Sequence, residues 1–264
     1  MDPDPLPHPS RPIGPDYGTS FADVYDDWYA EITDVAATAD HVAELARSPA
    51  DPAGTGARRV LELGVGSGRI ALPLVERGLH VVGIDSSPSM LDLLRAKPGA
   101  AAIELHEADM AAPDLVAPGP FAVVLVTFNT FFNLDDAARQ QRCLEGVARI
   151  LAPGGSLVVE AFVPADPPDR VERDLSTARV SLDRLVLTAT EHDPASQTVT
   201  GQHVDITDAG IRLRPWRIRY ATPAQLDEMA ATAGLRLADR HAGWSGEPFD
   251  DDSNLHVSRY VREP

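Results

Sequence analysis

The stretch that decides the fold lies at residues 60–69 and reads VLELGVGSGR. Its first four residues form a short apolar run typical of a buried strand, and residues 69–77 continue as a helix. Three glycines lie between these two elements, where they let the backbone pass close to a ligand while the start of the helix offers free N–H groups. The stretch therefore predicts a ligand-binding loop between a strand and a helix.

Strands alternate with helices along the chain that follows this loop. After residues 60–63 the predicted strands of this pattern are 80–84, 103–105, 121–126, 156–162, 235–241 and 255–262. Short links between alternating strands and helices are typical of a doubly wound sheet. We expect an α/β fold with a mainly parallel, seven-stranded, Rossmann-like sheet.

The pattern changes after residue 165, where polar and apolar residues alternate and turn-rich links replace the helices. Such alternation predicts a small antiparallel sheet, with strands at 183–190, 198–206 and 211–221, inserted into the α/β domain. We therefore divide the chain into four parts. They are a flexible, proline-rich segment at 1–16, N-terminal helices that act as a lid at 17–57, the α/β domain at 58–164 and 222–264, and the antiparallel insertion at 165–221.

Composition and charge limit the partners of this chain. It has 264 residues with 23 basic and 40 acidic side chains, and the net charge of −17 disfavours binding to nucleic acid or anionic lipid. No apolar run approaches the ~20 residues that span a bilayer, and no signal peptide is recognisable, so we expect a cytoplasmic protein that binds no membrane. The single cysteine, Cys143, excludes an internal disulfide. We expect no metal site, and either a monomer or a homodimer.

Three details narrow the class of ligand that the glycine loop binds. A dinucleotide fingerprint places its third glycine where this chain has Arg69. A nucleoside triphosphate loop requires a Gly-Lys-Ser/Thr sequence, and this loop has no lysine. Glu62 sets a carboxylate beside the loop, which suits a ligand with a cationic end and repels a pyrophosphate.

Acidic residues follow the next two strands. Asp85 ends the strand at 80–84, where a doubly wound fold places the group that accepts hydrogen bonds from ribose hydroxyls. Asp109 follows the strand at 103–105, where it can accept a hydrogen bond from an adenine amino group while Met110 lies against the ring. An adenine, a ribose and a cationic amino-acid tail without phosphates describe S-adenosyl-L-methionine (SAM).

These residues, together with the sequence LAPGG at 151–155, resemble class I SAM-dependent methyltransferases. The resemblance covers about residues 58–162 and rests on the order and spacing of four elements. The insertion and the aromatic N-terminal helix resemble the small-molecule branch that includes glycine N-methyltransferase and the N,N-dimethyltransferases of nucleotide-linked amino sugars. The resemblance implies SAM as the cofactor, in contact with Tyr25, Glu62, Gly64, Gly66, Gly68, Arg69, Asp85, Ser86, Met90, Asp109, Met110 and Thr127.

Some of these contacts have a second interpretation. Arg69 pairs either with the carboxylate of the cofactor, as the resemblance allows, or with a surface acid. Met90 is either a cofactor contact or a core residue. Tyr25, Trp28 and Tyr29 either close over the cofactor as a lid, as N-terminal aromatics do in the resembling enzymes, or form the buried face of a helix.

Methyl transfer is an in-line displacement, for which the protein aligns the acceptor with the methyl group and excludes water. A neutral amine needs no catalytic residue, whereas an alcohol or phenol needs a general base. The candidate catalytic residues are Asn129, Glu160 and Tyr29 from the lid. Asn129 positions a substrate amine or the amino group of the cofactor, or serves as a cap or turn residue. Glu160 is a base or a cation anchor, or faces the other side of its strand.

The insertion contains four arginines between residues 212 and 219. They either recognise an anionic group of a substrate or form a solvated outer face, and alternation favours the solvated face. We expect this outer face to hold Arg212, Arg214, Arg217 and Arg219, and the inner face to hold Ile211, Leu213, Ile218 and Tyr220.

The sequence thus predicts a biosynthetic, secondary-metabolite methyltransferase that uses SAM to methylate a nitrogen or oxygen of a small molecule, which the insertion covers. Methylation of adenine or of a glutamine amide is disfavoured, because those enzymes carry an Asp/Asn-Pro-Pro-Tyr motif where Asn129 is followed by Thr130. The alternatives are a protein or RNA methyltransferase, and a protein without transfer activity that uses SAM as a structural ligand.

Overall fold

The computed structural model describes residues 17–29, 34–47, 59–165 and 168–262, and the predicted flexible segment at 1–16 lies outside them. The helices are α1 Tyr17–Phe21, α2 Tyr25–Tyr29, α3 Val35–Arg47, α4 Ala71–Glu76, α5 Pro88–Arg95, α6 Ala137–Ile150 and α7 Pro223–Thr232. The strands are β1 Arg59–Leu63, β2 His80–Asp85, β3 Ile103–Glu107, β4 Phe121–Val126, β5 Leu151–Phe162, β6 Glu172–Val180, β7 Arg184–Asp193, β8 Thr198–Thr207, β9 Gly210–Arg219, β10 Leu235–His241 and β11 Leu255–Arg262.

Seven strands form one sheet in the order β10-β11-β5-β4-β1-β2-β3. The strands from β5 to β3 are parallel, while β11 pairs antiparallel with β5 and with β10. This topology confirms the predicted doubly wound, mainly parallel α/β fold. The strand order reverses between β1 and β4, and ligands of open α/β sheets bind beside such a reversal.

Apolar side chains cover both faces of this sheet. Leu144 of α6 and Leu226 of α7 belong to the core on one face. Val42 of α3, Leu74 of α4 and Leu91 of α5 belong to the core on the other face. Burial on both faces explains why the central strands are continuous apolar runs in the sequence. None of the helices in the described ranges is long and apolar enough to cross a membrane.

The insertion is a four-stranded antiparallel sheet in the order β6-β7-β8-β9. The sequence pattern predicts three of these strands and misses β6. All nine residues of β6 are exposed, so its sequence lacks the apolar alternation by which a half-buried strand is recognised.

The predicted orientation of β9 is wrong for the first half of the strand, although Ile218 and Tyr220 do face the core and Arg217 is exposed as predicted. Arg214 is 1% exposed, whereas Ile211 and Leu213 are 70% and 58% exposed. The pairing of β9 with β8 has no register shift, so successive side chains of β9 alternate between its two faces. Arg212 and Arg214 therefore share one face, whereas Arg217 and Arg219 lie on the other face with Ile211 and Leu213. The physical reason is that the buried arginine finds acidic partners, which offset the cost of taking its charge out of water.

Candidate active site

A cavity of about 420 Å³ lies at the carboxyl ends of β1, β2, β3 and β4. Of the predicted cofactor contacts, its lining contains Tyr25, Gly64, Gly66, Asp85, Ser86, Met90, Asp109 and Met110. Other lining residues belong to α1, to the segment 130–139 and to β8 and β9. Outside the lining of this cavity lie the predicted cofactor contacts Glu62, Gly68, Arg69 and Thr127 and the predicted catalytic residues Tyr29, Asn129 and Glu160.

The glycine loop is held by Asp85. The backbone N–H of Gly66 donates to Asp85 Oδ2 at 2.8 Å, and that of Ser87 donates to Asp85 Oδ1 at 2.8 Å. Gly66 has a φ of +53°, and a Cβ added to it meets no atom closer than 3.9 Å, so its conformation and not its packing requires glycine. At Gly68 a Cβ would lie 2.2 Å from Leu94 Cδ1, so this glycine lets the loop pack against α5.

Two ionisable side chains, Glu62 and Arg69, lie beneath the loop. Glu62 is 3% exposed, and this burial raises its pKa to about 8 although the nearby Arg69 lowers it. Within the described part of the chain, neither Oε2 of Glu62 nor Nη1 of Arg69 has a hydrogen-bond partner, and both atoms are buried. An unpaired buried polar atom costs about 1–3 kcal/mol, so the arrangement is typical of a site whose ligand supplies the missing partners.

Three tyrosines from α1 and α2 lie close together, and two of them, Tyr17 and Tyr25, line the cavity. The Tyr17 hydroxyl donates to the Tyr29 hydroxyl at 3.3 Å, and the ring centroids of Tyr25 and Tyr29 are 4.9 Å apart. The Tyr29 ring lies 5.6 Å from that of Phe128, and the Arg69 guanidinium lies 5.1 Å from the same Phe128 ring. Burial raises the pKa of Tyr25 to about 12 and raises the pKa of Tyr17, so both phenols are neutral near pH 7.

Asp109 and Met110 line the part of the cavity that follows β3. Asp109 Oδ1 accepts from the Ala111 backbone N–H at 2.8 Å, and Oδ2 pairs with Arg139 at 2.8 Å. Arg139 also pairs with Asp135 at 3.0 Å. The arginine thus fixes the orientation of the Asp109 carboxylate at the cavity wall.

The predicted catalytic residues after β4 and within β5 form one hydrogen-bonded turn. Glu160 is buried and accepts from the Phe128 backbone N–H at 2.7 Å and from Trp244 Nε1 at 2.9 Å, so both carboxylate oxygens are engaged. Asn129 Oδ1 accepts from the Phe162 backbone N–H at 2.7 Å. Phe128 and Asn129 have φ angles of +50° and +61°, which non-glycine residues rarely adopt. Glu160 therefore holds the conformation of this turn, and the Phe128 ring of the turn lies beside Tyr29.

Comparisons with known proteins agree with this geometry. The family model of a methyltransferase domain matches residues 60–155. A cypemycin N-terminal methyltransferase from Streptomyces sp is 31% identical over 199 residues, which are 73% of this chain and 78% of that protein. The chain belongs to the class I SAM-dependent methyltransferases.

Solved methyltransferase structures share the whole architecture. That of the CcbJ methyltransferase from Streptomyces caelestis matches with a TM-score of 0.84 and 38% identity, over 94% of this chain and 98% of the other. CalS10, an amino pentose methyltransferase from Micromonospora echinaspora that was solved with SAM bound, matches with a TM-score of 0.56 and 25% identity, over 93% of this chain and 92% of the other.

This methyltransferase has polar groups that fit SAM. An ammonium group beside Glu62 and a carboxylate beside Arg69 would satisfy the two buried atoms that have no partner among the described residues, and the methionyl tail of SAM carries both groups. The tail also carries no phosphate, in agreement with a loop that has no lysine to bind one.

Sequence reasoning missed several lining residues of the methyltransferase. Tyr17 has a usable signal, because Tyr17, Phe21 and Tyr25 recur at the four-residue spacing of one helical face. Arg139 and Thr200 line the same cavity without any local signal, since they are brought to it from α6 and β8 by the fold.

Proposed function

We propose that this methyltransferase transfers the methyl group of SAM to an amine nitrogen of a small molecule in a biosynthetic pathway. The acceptor binds between the glycine loop and the four-stranded sheet. Oxygen, the other acceptor atom that the sequence predicts, is disfavoured by the state of the acidic groups at the cavity.

The two-sided lining of the cavity carries this proposal. Gly66 and Asp85 belong to the cofactor loop, whereas Thr200 and Trp216 belong to β8 and β9 of the insertion. A space of about 420 Å³ between these two parts of the chain suits a small acceptor beside the cofactor. The net charge of −17 further disfavours an RNA substrate.

The choice of nitrogen follows from the lack of an available base in the described lining. Asp85 accepts from two backbone N–H groups, and Asp109 and Asp135 both pair with an arginine. The phenols of Tyr17 and Tyr25 have raised pKa values and stay protonated. An alcohol or phenol acceptor requires a base within hydrogen-bond reach, whereas a neutral amine attacks with its own lone pair.

SAM supplies a methyl group that its sulfonium charge already makes electrophilic. The protein contributes alignment, which is worth ~7–11 kcal/mol for a well-oriented reaction. We assign Tyr29 to positioning the acceptor through its hydrogen bond with Tyr17, and Asn129 and Glu160 to holding the Phe128–Asn129 turn. We assign the cofactor contacts as follows: Glu62 and Arg69 to the methionyl tail, Asp85 and Ser86 to the ribose, and Met90, Asp109 and Met110 to the adenine.

An assay of S-adenosylhomocysteine release tests the proposal with a panel of acceptors. The panel contains amino sugars, other small primary and secondary amines, phenols, alcohols and a transfer RNA. We expect turnover with amines, with a rate that rises with pH as the amine loses its proton. Turnover of phenols or RNA without turnover of any amine contradicts the proposal.

The α-amine of a peptide is a second candidate acceptor. It is favoured by the similarity to the cypemycin N-terminal methyltransferase, of which this chain covers 78% at 31% identity. A short peptide with a free N-terminus and the same peptide with an acetylated N-terminus distinguish this candidate in the same assay. Methylation of the free peptide alone supports it, and methylation of neither peptide rejects it.

A further inference from the structure

A buried arginine of the insertion makes contacts that methyl transfer itself does not use. Arg214 of β9 donates from Nη1 to Asp23 Oδ1 at 2.6 Å and from Nη2 to Asp23 Oδ2 at 3.0 Å. Nη1 also donates to the Ser20 carbonyl at 2.7 Å, and Nη2 to Asp205 Oδ2 at 3.0 Å. This pairing with Asp23 is bidentate, which is the strongest and most directional form of an arginine–carboxylate pair.

The partners of Arg214 lie in the segment that presents the tyrosines. Ser20 belongs to α1 and Asp23 lies in the turn between α1 and α2. These two short helices carry Tyr17 and Tyr25, both of which line the cavity. Helices of five residues have little stability of their own, so their position depends on what they contact.

Arg214 and two further arginines of the four-stranded sheet contact Trp28, near the end of this segment. The guanidinium groups of Arg179, Arg184 and Arg214 lie 5.5, 5.2 and 5.3 Å from the Trp28 ring. Arg179 also donates to the Trp28 carbonyl at 2.7 Å. Cation–π contacts of this kind gain strength when they are shielded from water.

The N-terminal segment also contacts the cofactor loop. Asp26 of α2 pairs with Lys97 at 2.7 Å and accepts from the Ser67 hydroxyl at 2.5 Å. Ser67 belongs to the glycine loop. The segment 17–29 therefore spans from the insertion, through Asp23, to the cofactor loop, through Asp26.

We propose that Arg214 is a positioning residue that, through Ser20 and Asp23, fixes the distance of Tyr17 and Tyr25 from the cofactor loop. The insertion then acts on cofactor binding through the N-terminal segment, in addition to covering the acceptor. This inference rests on the proposed contact of Tyr25 with SAM, but not on the identity of the acceptor.

The Asp23→Asn variant tests the inference by isothermal titration with SAM. The Asp23 side chain is 43% exposed and Asp205 still pairs with Arg214 in the variant, so we expect the variant to fold and the Kd for SAM to rise about tenfold as the bidentate pair is lost. Asp27→Asn is the matched control, because Asp27 is an exposed acid of the adjoining helix α2, and its Kd should be that of the wild type. Asp23→Glu, which keeps the carboxylate, should recover part of the affinity.

A double-mutant cycle separates positioning from a general structural role. If Arg214 and Asp23 act through the tyrosine, Asp23→Asn loses most of its effect on the Kd in a Tyr25→Ala background. Fully additive effects, or an unchanged Kd in Asp23→Asn while Tyr25→Ala is impaired, overturn the positioning role. An unchanged Kd in Tyr25→Ala rejects the proposed cofactor contact instead. Neither result depends on the acceptor assay, so failure of the proposed amine specificity is distinguished from both.

Discussion

This methyltransferase has two clusters in which an arginine is buried beside an acid. They differ in whether the buried polar atoms have hydrogen-bond partners. Beneath the glycine loop, Glu62 Oε2 and Arg69 Nη1 are buried and have no partner among the described residues. In the insertion, Arg214 donates to Asp23, Asp205 and a backbone carbonyl. Unpaired buried groups weaken the free protein and are retained where a ligand completes them, whereas a fully paired cluster needs no ligand and becomes costly only when one partner is removed.

The largest effect expected from this comparison is on stability, in the insertion. Asp205 accepts from Arg184 at 2.7 Å and from Arg214 at 3.0 Å, so Asp205→Ala removes the carboxylate partner of Arg184 and leaves the buried Arg214 with Asp23 as its remaining acidic partner. We expect a loss of about 3–5 kcal/mol in the free energy of unfolding, measured by urea denaturation. Asp208→Ala, an exposed acid in the turn after β8, is the control. Equal urea midpoints for Asp205→Ala and Asp208→Ala would contradict the proposed difference between the paired cluster of the insertion and the unpaired groups beneath the glycine loop.

At the glycine loop the expected effect is on the cofactor. Asp85→Ala removes the proposed acceptor of the ribose hydroxyls and the carboxylate that holds Gly66. Hydrogen bonds to a charged group contribute about 1.5–3 kcal/mol, so we expect the Kd for SAM to rise about 10- to 100-fold in calorimetric titration. Asp92→Ala, on the exposed side of α5, should leave the Kd unchanged. An unchanged Kd in Asp85→Ala removes the ribose assignment.

A third prediction concerns the pH dependence of SAM binding. The pKa of Glu62 is raised from 4.5 to about 8, so below pH 8 the free protein holds a proton that a bound ammonium group displaces. The Kd should therefore rise as pH falls below 8, by at most about tenfold per unit. Glu62→Gln, which cannot ionise, should lose this part of the dependence. Parallel pH profiles of the Kd for the two proteins would contradict the prediction.

The same raised pKa gives a signed prediction for stability. Between pH 4.5 and about 8 the unfolded chain releases the Glu62 proton and the folded chain keeps it, so the Glu62 contribution to stability falls as pH rises through this window. Without SAM, the melting temperature of Glu62→Gln should therefore rise relative to that of the wild type from pH 5 to pH 8. A constant difference in melting temperature argues against the burial of an unpaired carboxyl.

The smallest effect is expected at the rim of the insertion cluster. Arg212 also pairs with Asp23, at 2.7 Å, but its side chain is 55% exposed. Exposed ion pairs contribute about 0–1 kcal/mol, so Arg212→Ala should change the free energy of unfolding by less than about 1 kcal/mol. Raising the salt concentration should reduce even this difference. A loss as large as that of Asp205→Ala would show that exposure does not separate these arginines.

The sheet and the cofactor loop were predictable because their signals are local. The run 121–126 is apolar throughout since it is buried on both faces, and the spacing of Glu62, the glycines and Asp85 is fixed by one strand, one turn, one helix and the next strand. Most residues chosen on this basis line the cavity. Arg139 was not predictable, because its contact with Asp109 joins residues from different elements of the fold.

The sequence by itself determined the α/β class, the SAM-dependent methyltransferase family and the position of the glycine loop, because each depends on residues close together in the chain. The tertiary structure alone decided which face of β9 is buried. Because side chains alternate along a strand, the sequence predicts that Leu213 and Arg214 point to opposite faces of β9, but it does not predict which face packs against the rest of the protein. That was decided by Asp23 and Trp28, which lie near the other end of the chain and supply the charge and the ring that Arg214 requires.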